Sequence, residues 1–267
     1  MFRHCVLGVD FSEGWDAALP VLPALAENLG IERLTLVNVD ELHRWQRPKN
    51  EEGHSRSVQL EYVAEDLNGK MPFPVDYQVR RGFPASELLK AAEELGADAV
   101  IATNRSHSTS REFFVGNVAL NLARMTKLPL IIVPIEATAE TTGGPFVLAT
   151  DGSDAAKGAE SVFGYLAQSG AQGRIIIVDD DDDAATGRNA KAHVDQLADC
   201  FTDNVSARTV TGDVAEEVTE MAKSDNARLI ILGKRGHTPL PELLLGSKAE
   251  AVCRLARNPV LLVPRET

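Results

Sequence analysis

The sequence predicts an α/β protein of two similar doubly wound domains, each with a five-stranded parallel sheet flanked by helices. Two observations lead to this fold class. Short runs rich in Val, Ile and Leu alternate with segments of helical spacing. The chain also repeats itself, because the stretch from Gly82 to Pro134 aligns without a gap with the stretch from Gly212 to Pro264, each position lying 130 residues before its counterpart.

The predicted elements follow the repeat. Its first anchor is the apolar run "HCVLGVD", which ends at Asp10 and matches "PFVLATD", which ends at Asp151. The first copy has predicted strands near 4–10, 33–39, 75–80, 98–103 and 130–133. Helical spacing in that copy covers about 13–29, 55–68, 84–95 and 117–126. The second copy has predicted strands near 145–150, 174–178, 205–210, 228–232 and 260–263.

The two copies separate in the stretch "EATAETTGG", whose Thr, Glu and Gly content is typical of a linker. We therefore predict a first domain over 1–137, a linker over 138–144 and a second domain over 145–267. A parallel sheet of this kind binds ligands at the carboxyl ends of its strands, beside the first strand. Asp10 and Asp151 are expected at that edge.

The composition excludes several classes of function. Of the 267 residues, 44% are hydrophobic and 25% are charged, which is typical of a soluble globular protein. A net charge of -12 argues against a general surface for nucleic acid or anionic membrane, because both present phosphates. No apolar run is long enough to span a bilayer and no signal-peptide pattern is present, so we expect a cytoplasmic protein.

One loop carries most of the chemical information. The stretch "GKRGHTPLPELLLGS", from Gly233 to Ser247, connects a predicted strand to a predicted helix. Glycines allow a ligand to approach the backbone, and the N-terminus of the following helix favours an anion such as phosphate. Lys234, Arg235 and Lys248 add positive charge. Ser247 and Glu250 also fit a capping box, Ser-x-x-Glu, which a helix can form without any ligand.

These features together resemble a tandem universal stress protein, and the resemblance covers nearly the whole chain. It implies the adenine nucleotide alpha hydrolase-like fold, with strand order 3-2-1-4-5 in each domain. In ATP-binding members of that family the G-x2-G-x9-G-[ST] loop contacts the ribose and phosphates, the Asp ending strand one lies at the adenosine end, and a residue ending strand two meets the adenine. The resemblance therefore implies an ATP site, with Mg2+ accompanying the ATP, at Ala149, Thr150, Asp151, Val178, Gly233, Lys234, Arg235, Gly236, Gly246, Ser247, Lys248 and Ala249.

The first copy departs from this motif. Thr103 and Ser106 replace the first two glycines and Asn117 replaces the serine, while Gly116 and Asp10 remain. Side chains at the first two positions restrict positive φ and project into the space that a nucleotide needs. We predict one ATP site in each chain, with the first domain serving as a pseudo-site, a partner surface or a regulator.

Other candidate groups stay open. The run "DDDDD", Asp179 to Asp183, is either a solvated acidic loop or a Mg2+ ligand near the phosphates. His237 is interpreted as a surface histidine, because His107 occupies the matching place in the copy that lost its glycines. No constellation of nucleophile and base stands out, so no catalytic residue is named and we expect at most weak ATP hydrolysis.

The apolar fifth strands, "LIIV" and "VLLV", need partners because an exposed apolar edge aggregates. We expect them to pair within the chain as a pseudo-dimer, with a further homodimer left open. The leading hypothesis is an ATP-binding stress-response protein that signals to an unidentified protein partner. The alternatives are a slow ATPase, a nucleotidyl- or phosphoryl-transfer enzyme that uses the same loop, and an interaction scaffold without a ligand.

Overall fold

A computed structural model describes residues 1–41, 52–104, 117–138, 143–179, 184–201, 204–236 and 245–265. In these ranges the chain forms ten strands and nine helices. The strands are β1 (His4–Val9), β2 (Arg33–Glu41), β3 (Val75–Gly82), β4 (Ala99–Thr103), β5 (Leu130–Val133), β6 (Phe146–Ala149), β7 (Gly173–Asp179), β8 (Val205–Thr211), β9 (Leu229–Gly233) and β10 (Val260–Val263). The helices are α1 (Glu13–Ala18), α2 (Leu22–Leu29), α3 (Glu52–Asn68), α4 (Pro84–Leu95), α5 (Asn117–Met125), α6 (Lys157–Gln168), α7 (Ala184–Asp199), α8 (Val214–Ser224) and α9 (Ser247–Leu255).

All ten strands form one sheet in the order β3-β2-β1-β4-β5-β10-β9-β6-β7-β8. Each half therefore has the predicted order 3-2-1-4-5, with parallel pairing between its own strands. The predicted fold class is confirmed, and every predicted strand agrees with an observed one to within two residues at each end. The strands can be predicted from local sequence because strands that are buried on both faces of a sheet are apolar along their whole length.

The two halves meet where β5 pairs antiparallel with β10. The central pair of this register is Ile131 with Leu261, and these two residues are counterparts in the 130-residue repeat. A residue that pairs with its own counterpart marks a pseudo-twofold axis. Both strands are fully buried, so the apolar edges that the sequence predicts for each half cover one another.

Two hydrophobic layers cover the sheet, and each runs through both halves. The first layer contains side chains of α1, α2, α3, α6 and α7, and the second contains side chains of α4, α5, α8 and α9. Residues alternate between the layers along a strand, as Leu7 lies in the first and Val6 in the second. None of the helices in the described ranges is long and apolar enough to cross a bilayer.

One predicted helix is wrong in its extent. The spacing over 13–29 predicts one helix, but the structure contains α1 and α2 with a break between them. Pro20 lies in the break, and its ring cannot continue an α-helix because it lacks the backbone N–H and collides with the preceding turn. Pro23 lies at the start of α2, where a backbone N–H would have no acceptor within the helix, so its absence costs no hydrogen bond.

Arg228 connects the two halves beside the segment that the sequence predicts as a linker. Its guanidinium donates hydrogen bonds to the carbonyl oxygens of Gly143 and Gly144 and to Oδ1 of Asn28 on α2. It also lies over the Phe146 ring, 5.1 Å from the centroid. Burial lowers the pKa of this guanidinium. The start of the second half is thereby fixed to the first.

Candidate functional site

Three adjacent parallel strands end at one edge of the second half. β6 pairs with β7 on one side and with β9 on the other, so Ala149 and Gly233, which end β6 and β9, and Val178, the next-to-last residue of β7, lie at the same edge. Ala149 and Val178 pack with the second hydrophobic layer. This is the place where strand order reverses in a doubly wound sheet and where such sheets bind ligands.

The chain turns sharply after β6. Thr150 and Asp151 follow the strand, and Gly152 adopts a left-handed conformation with a φ of 69°. The Asp151 carboxylate holds this turn, because its Oδ1 accepts a hydrogen bond of 3.0 Å from the backbone N–H of Ser153. A glycine after the aspartate is favourable, since side chains are disfavoured at positive φ.

The glycine loop lies directly against this turn. A Cβ placed on Gly236 would be 2.8 Å from Oδ2 of Asp151, which is closer than side chains approach. A Cβ on Gly233 would be 2.9 Å from the carbonyl oxygen of Arg235 and 3.0 Å from that of Ala155. Both glycines are therefore needed for backbone that approaches its neighbours closely. The structure brings the strand-one aspartate and the first two glycines of the loop together.

The far end of the loop returns to its beginning. The backbone N–H of Gly246 donates a 3.0 Å hydrogen bond to the carbonyl of Lys234, and α9 starts at the next residue, Ser247. Gly246 is the N-cap, and none of the described side chains caps the helix. The capping box weighed for Ser247 and Glu250 is thus absent, because Glu250 bonds Arg254 and Arg124 instead.

The remaining residues of the predicted set have different surroundings. Ser247 and Lys248 are exposed on the first turn of α9, and Arg235 is partly buried between Lys234 and Gly236. Ala249 is buried in the second hydrophobic layer, so its side chain supports the helix. The uncapped helix start thus has exposed polar and cationic side chains on its first turn, an arrangement suited to an anion.

The side chain of Lys234 points to the first half of the molecule. Its side chain is 2% exposed, and its ammonium donates hydrogen bonds to the backbone carbonyls of Arg124 (2.8 Å) and Thr126 (2.9 Å) in the first half. Burial, together with the nearby charge of Arg235, lowers the pKa of Lys234 to about 8. The sequence placed this lysine among the phosphate-binding cations, whereas its ammonium is directed to the end of α5.

A buried polar network behind the site was missed by the sequence analysis. The Thr150 hydroxyl donates a 2.6 Å hydrogen bond to Oε1 of Glu160 and accepts one from the N–H of Gly152. Oε2 of Glu160 lies 2.9 Å from Nε2 of His193 on α7. The available signal was an acidic residue on an apolar helical face, since Glu160 follows Ala159 and lies one turn before Phe163.

The first half has the same turn after its first strand but fewer glycines. Oδ1 of Asp10 accepts hydrogen bonds from the N–H and the hydroxyl of Ser12. Phe11 has a φ of 53° at the place where the second half has Gly152. Thr103 ends β4, as the first glycine ends β9 in the second half. Side chains stand here at two positions where the second half has glycine.

Several predictions fall on residues outside the described ranges. These are Ser106, His107, Gly116, His237 and Asp180 to Asp183. Asp179 is the last residue of β7. Within the parts of the chain that the structure describes, no group of three His, Cys, Asp or Glu side chains could hold a metal ion. The hypothesis that the aspartate run binds Mg2+ stays a prediction.

Comparison with known proteins gives two matches to one family model. The model described as the universal stress protein family matches residues 1–134 and 144–264. Universal stress protein MJ0531 of Methanocaldococcus jannaschii is 35% identical over 79 residues, which are 30% of this chain and 46% of that protein. Universal stress protein YxiE of Bacillus subtilis is 39% identical over 61 residues, 22% of this chain and 41% of that protein. The chain spans less than half the length of each of these relatives in the matched segment.

Solved structures share the arrangement of the whole chain. A universal stress protein from Archaeoglobus fulgidus superposes with a TM-score of 0.76 at 21% identity, covering 98% of this chain and 96% of that one. A protein of unknown function from Pseudomonas aeruginosa gives the same TM-score at 15% identity, covering 99% of this chain and 93% of that one. At these identities the likeness concerns the fold, and it extends over both halves.

Proposed function

The chain belongs to the universal stress protein family, with two family domains in tandem, and on that premise we propose that its second half binds ATP, with Mg2+, as a regulatory ligand. The bound state is read by a protein partner, and turnover is not the purpose of the site. The resemblance noted from the sequence suggests the nucleotide, and the geometry of one loop supports it.

The observation that carries the proposal is the contact between the glycine loop and the turn after β6. Gly236 lies against the Asp151 carboxylate so closely that a Cβ would stand 2.8 Å from it. The same loop returns through the hydrogen bond from Gly246 to Lys234 and leads into the uncapped start of α9. A loop that joins a carboxylate to a helix N-terminus suits a ribose hydroxyl at one end and phosphates at the other.

The charges of the site agree with an anionic ligand in an acidic protein. Arg235 lies near the start of the loop and Lys248 directly after it, and the backbone N–H groups of the first turn of α9 add the positive end of the helix dipole. A protein with a net charge of -12 needs such a local site to hold a triphosphate. Mg2+ would reduce the repulsion between the phosphates and the surrounding acidic groups.

The first test is to measure bound nucleotide. Freshly purified full-length protein is denatured, its released nucleotides are separated by chromatography, and ATP binding is then titrated by calorimetry with Mg2+ present. We expect ATP in the purified protein and saturable binding. Gly246→Val should weaken ATP at least about tenfold, because its branched side chain crowds the backbone that meets the phosphates.

The matched control is Gly164→Ala on α6, where a Cβ would stand 3.5 Å from the Phe201 ring, an ordinary contact. This variant should bind ATP as wild type does. Absence of ATP binding in the wild type would favour the scaffold without a ligand. Unchanged ATP affinity in Gly246→Val would remove the proposed site. ATP turnover well above that of an Asp151→Ala variant would favour the enzyme alternative.

A further inference from the structure

Lys234 lies where the glycine loop, the last strand and the first half of the molecule meet. Its backbone N–H donates to the carbonyl of Val263 on β10 over 2.8 Å. Its backbone carbonyl accepts the hydrogen bond from Gly246 that closes the loop. The main chain of this residue therefore sets the position of the loop relative to the last strand.

The side chain of Lys234 leaves the loop and crosses to the first half. Its ammonium bonds the carbonyl of Arg124, in the last turn of α5, and the carbonyl of Thr126 just beyond the helix. Carbonyls in the last turn of a helix have no partner within the helix, and a cation there is favoured by the helix dipole. The ammonium thus caps α5 from the other half of the chain.

A second contact joins the same elements at the surface. Nη2 of Arg124 lies 3.2 Å from Oε2 of Glu250, on the first turn of α9. Glu250 in turn donates its backbone N–H to the carbonyl of Gly246. The pKa of the Glu250 carboxyl is lowered, mainly by its hydrogen bond with Arg254 and further by Arg124. The end of α5 is therefore attached to both ends of the glycine loop, at Lys234 and at the start of α9.

The repeat shows that the fold does not require this lysine. Its counterpart is Asn104, whose backbone N–H makes the equivalent 2.8 Å bond to Val133 of β5. Asparagine is too short to span the distance that the lysine side chain covers. The half with all three loop glycines has the long cationic side chain, and the half in which Thr103 and Ser106 replace the first two has the short amide.

We propose that the first half of the chain serves as the anchor for the glycine loop of the second half, with Lys234 as the positioning residue that attaches the loop to the end of α5. This inference rests on the proposed ATP site and assigns a task to the half that has lost the first two glycines of the motif. Lys234 acts on the ligand through the backbone of the loop, since its buried ammonium is bonded to carbonyls of α5.

The test uses the full chain with Lys234→Asn, which introduces the residue type of the counterpart position, and Lys223→Asn as control. Lys223 is an exposed lysine on α8 whose side chain is 59% exposed. Hydrogen exchange is measured without nucleotide, and affinities for ATP and for adenosine are measured by calorimetry. We expect Lys234→Asn to speed amide exchange in the last turn of α5 and to weaken ATP and adenosine by a similar factor, about tenfold. The control should change neither.

A positioning role and a phosphate contact give different results. If Lys234 were a phosphate ligand, its loss would weaken ATP strongly, leave adenosine unchanged and reduce the salt dependence of ATP binding. That pattern would overturn the proposal, as would unchanged affinities for both ligands. In the wild type, ATP should also slow amide exchange at the end of α5, and this slowing should be lost in Lys234→Asn.

Arg124→Gln supplies a second variant in case Lys234→Asn does not fold. The Arg124 side chain is 46% exposed, so its replacement is tolerated, and it breaks the contact with α9 from the first half. A loss of about twofold to threefold in affinity for both ligands is expected, and unchanged affinity would count against the anchor. If the wild type binds no ATP, the proposed function fails. The exchange experiment without nucleotide still decides the anchor, and equal exchange in Lys234→Asn and Lys223→Asn would refute it.

Discussion

At the scale of single residues, the site depends on groups that approach each other closely. The second half has glycine at positions 152, 233, 236 and 246, and at 233 and 236 a Cβ would collide with an oxygen of the surrounding turn. The first half shows that the fold itself persists with Phe11 and Thr103 at two matching positions. In the second half the glycines at 233 and 236 allow the loop to approach Ala155 and Asp151 closely, whereas the first half forms the same sheet with Thr103 at the position that matches Gly233.

Gly236→Ala tests whether the close approach of the loop to the Asp151 carboxylate shapes the site. The new methyl group stands 2.8 Å from Oδ2 of Asp151, so the carboxylate must rotate away. We expect ATP to bind about tenfold more weakly, while the free energy of unfolding changes by less than about 1 kcal/mol because position 236 is exposed. Calorimetric titration and urea unfolding measure the two effects.

A double-mutant cycle identifies the cause. In an Asp151→Ala background the methyl group has no carboxylate to displace, so Gly236→Ala should have little further effect on ATP affinity. Full additivity of the two substitutions would show that the contact between these residues does not shape the site.

Lys234 gives a second residue-scale prediction, through pH. Its pKa is lowered from the ordinary value of 10.5 to about 8, mainly by burial. Between these values the unfolded chain holds more protons than the folded one, so this lysine adds stability as pH rises from about 8 toward 10.5. Below pH 8 the lysine is protonated in both the folded and the unfolded chain, so it adds no such increase in the free energy of unfolding.

Wild type and Lys234→Met are compared by urea unfolding from pH 7 to pH 10.5. Relative to the variant, the free energy of unfolding of the wild type should rise by about 1–3 kcal/mol over this range. Lys223→Met removes a positive charge from an exposed site and serves as the control. A difference between wild type and Lys234→Met that stays constant with pH would contradict the expectation.

At the scale of elements, α6 carries a charged residue on its buried face. Glu160 lies among Ala159, Phe163 and Leu166, and both of its carboxylate oxygens have hydrogen-bond partners, Thr150 and His193. Buried carboxylates are tolerated when they are bonded in this way. The Thr150 hydroxyl also accepts a hydrogen bond from the backbone N–H of Gly152, so Glu160 on α6 stabilises the turn after β6 through Thr150.

Glu160→Ala should lower the free energy of unfolding by about 1–3 kcal/mol, because the Thr150 hydroxyl and His193 lose their acceptor. Glu160→Gln keeps an oxygen for Thr150 and should cost less. Glu220→Ala, on the exposed surface of α8, is the control and should change stability by less than about 0.5 kcal/mol. Urea unfolding followed by circular dichroism measures all three, and equal stability of Glu160→Ala and the control would refute the role of the network.

At the scale of the whole molecule, the two halves form one body. The β5–β10 pair joins the two half-sheets, and both hydrophobic layers continue across it. Arg228, Lys234 and Arg124 each bond across the halves. This predicts one cooperative unfolding transition for the chain.

Both tryptophans, Trp15 and Trp45, belong to the first half, so their fluorescence reports on that half while circular dichroism reports on the whole. In the wild type the two unfolding curves should coincide. Leu261→Asp, which places a carboxylate in the fully buried β5–β10 pair, should cost more than about 3 kcal/mol or separate the curves. Ala207→Asp, on the exposed outer strand β8, is the control and should do neither. Separate curves in the wild type would contradict cooperative folding.

The sequence by itself determined the repeat, the strands and the doubly wound class, because strand content and helical spacing are local. The strand order within each half, and the place of Asp151 beside the glycine loop, were implied by the resemblance to universal stress proteins. The break at Pro20 was missed because the helical spacing continues across it, although a proline inside such a pattern indicates a break. Only the tertiary structure decided that the Lys234 ammonium bonds the end of α5 and that Glu160 joins Thr150 to His193. It also decided that the Glu250 side chain accepts from Arg124 and does not cap its own helix. A long flexible side chain takes the partner that packing brings to it, and the carbonyls that hold Lys234 lie more than a hundred residues away in the chain.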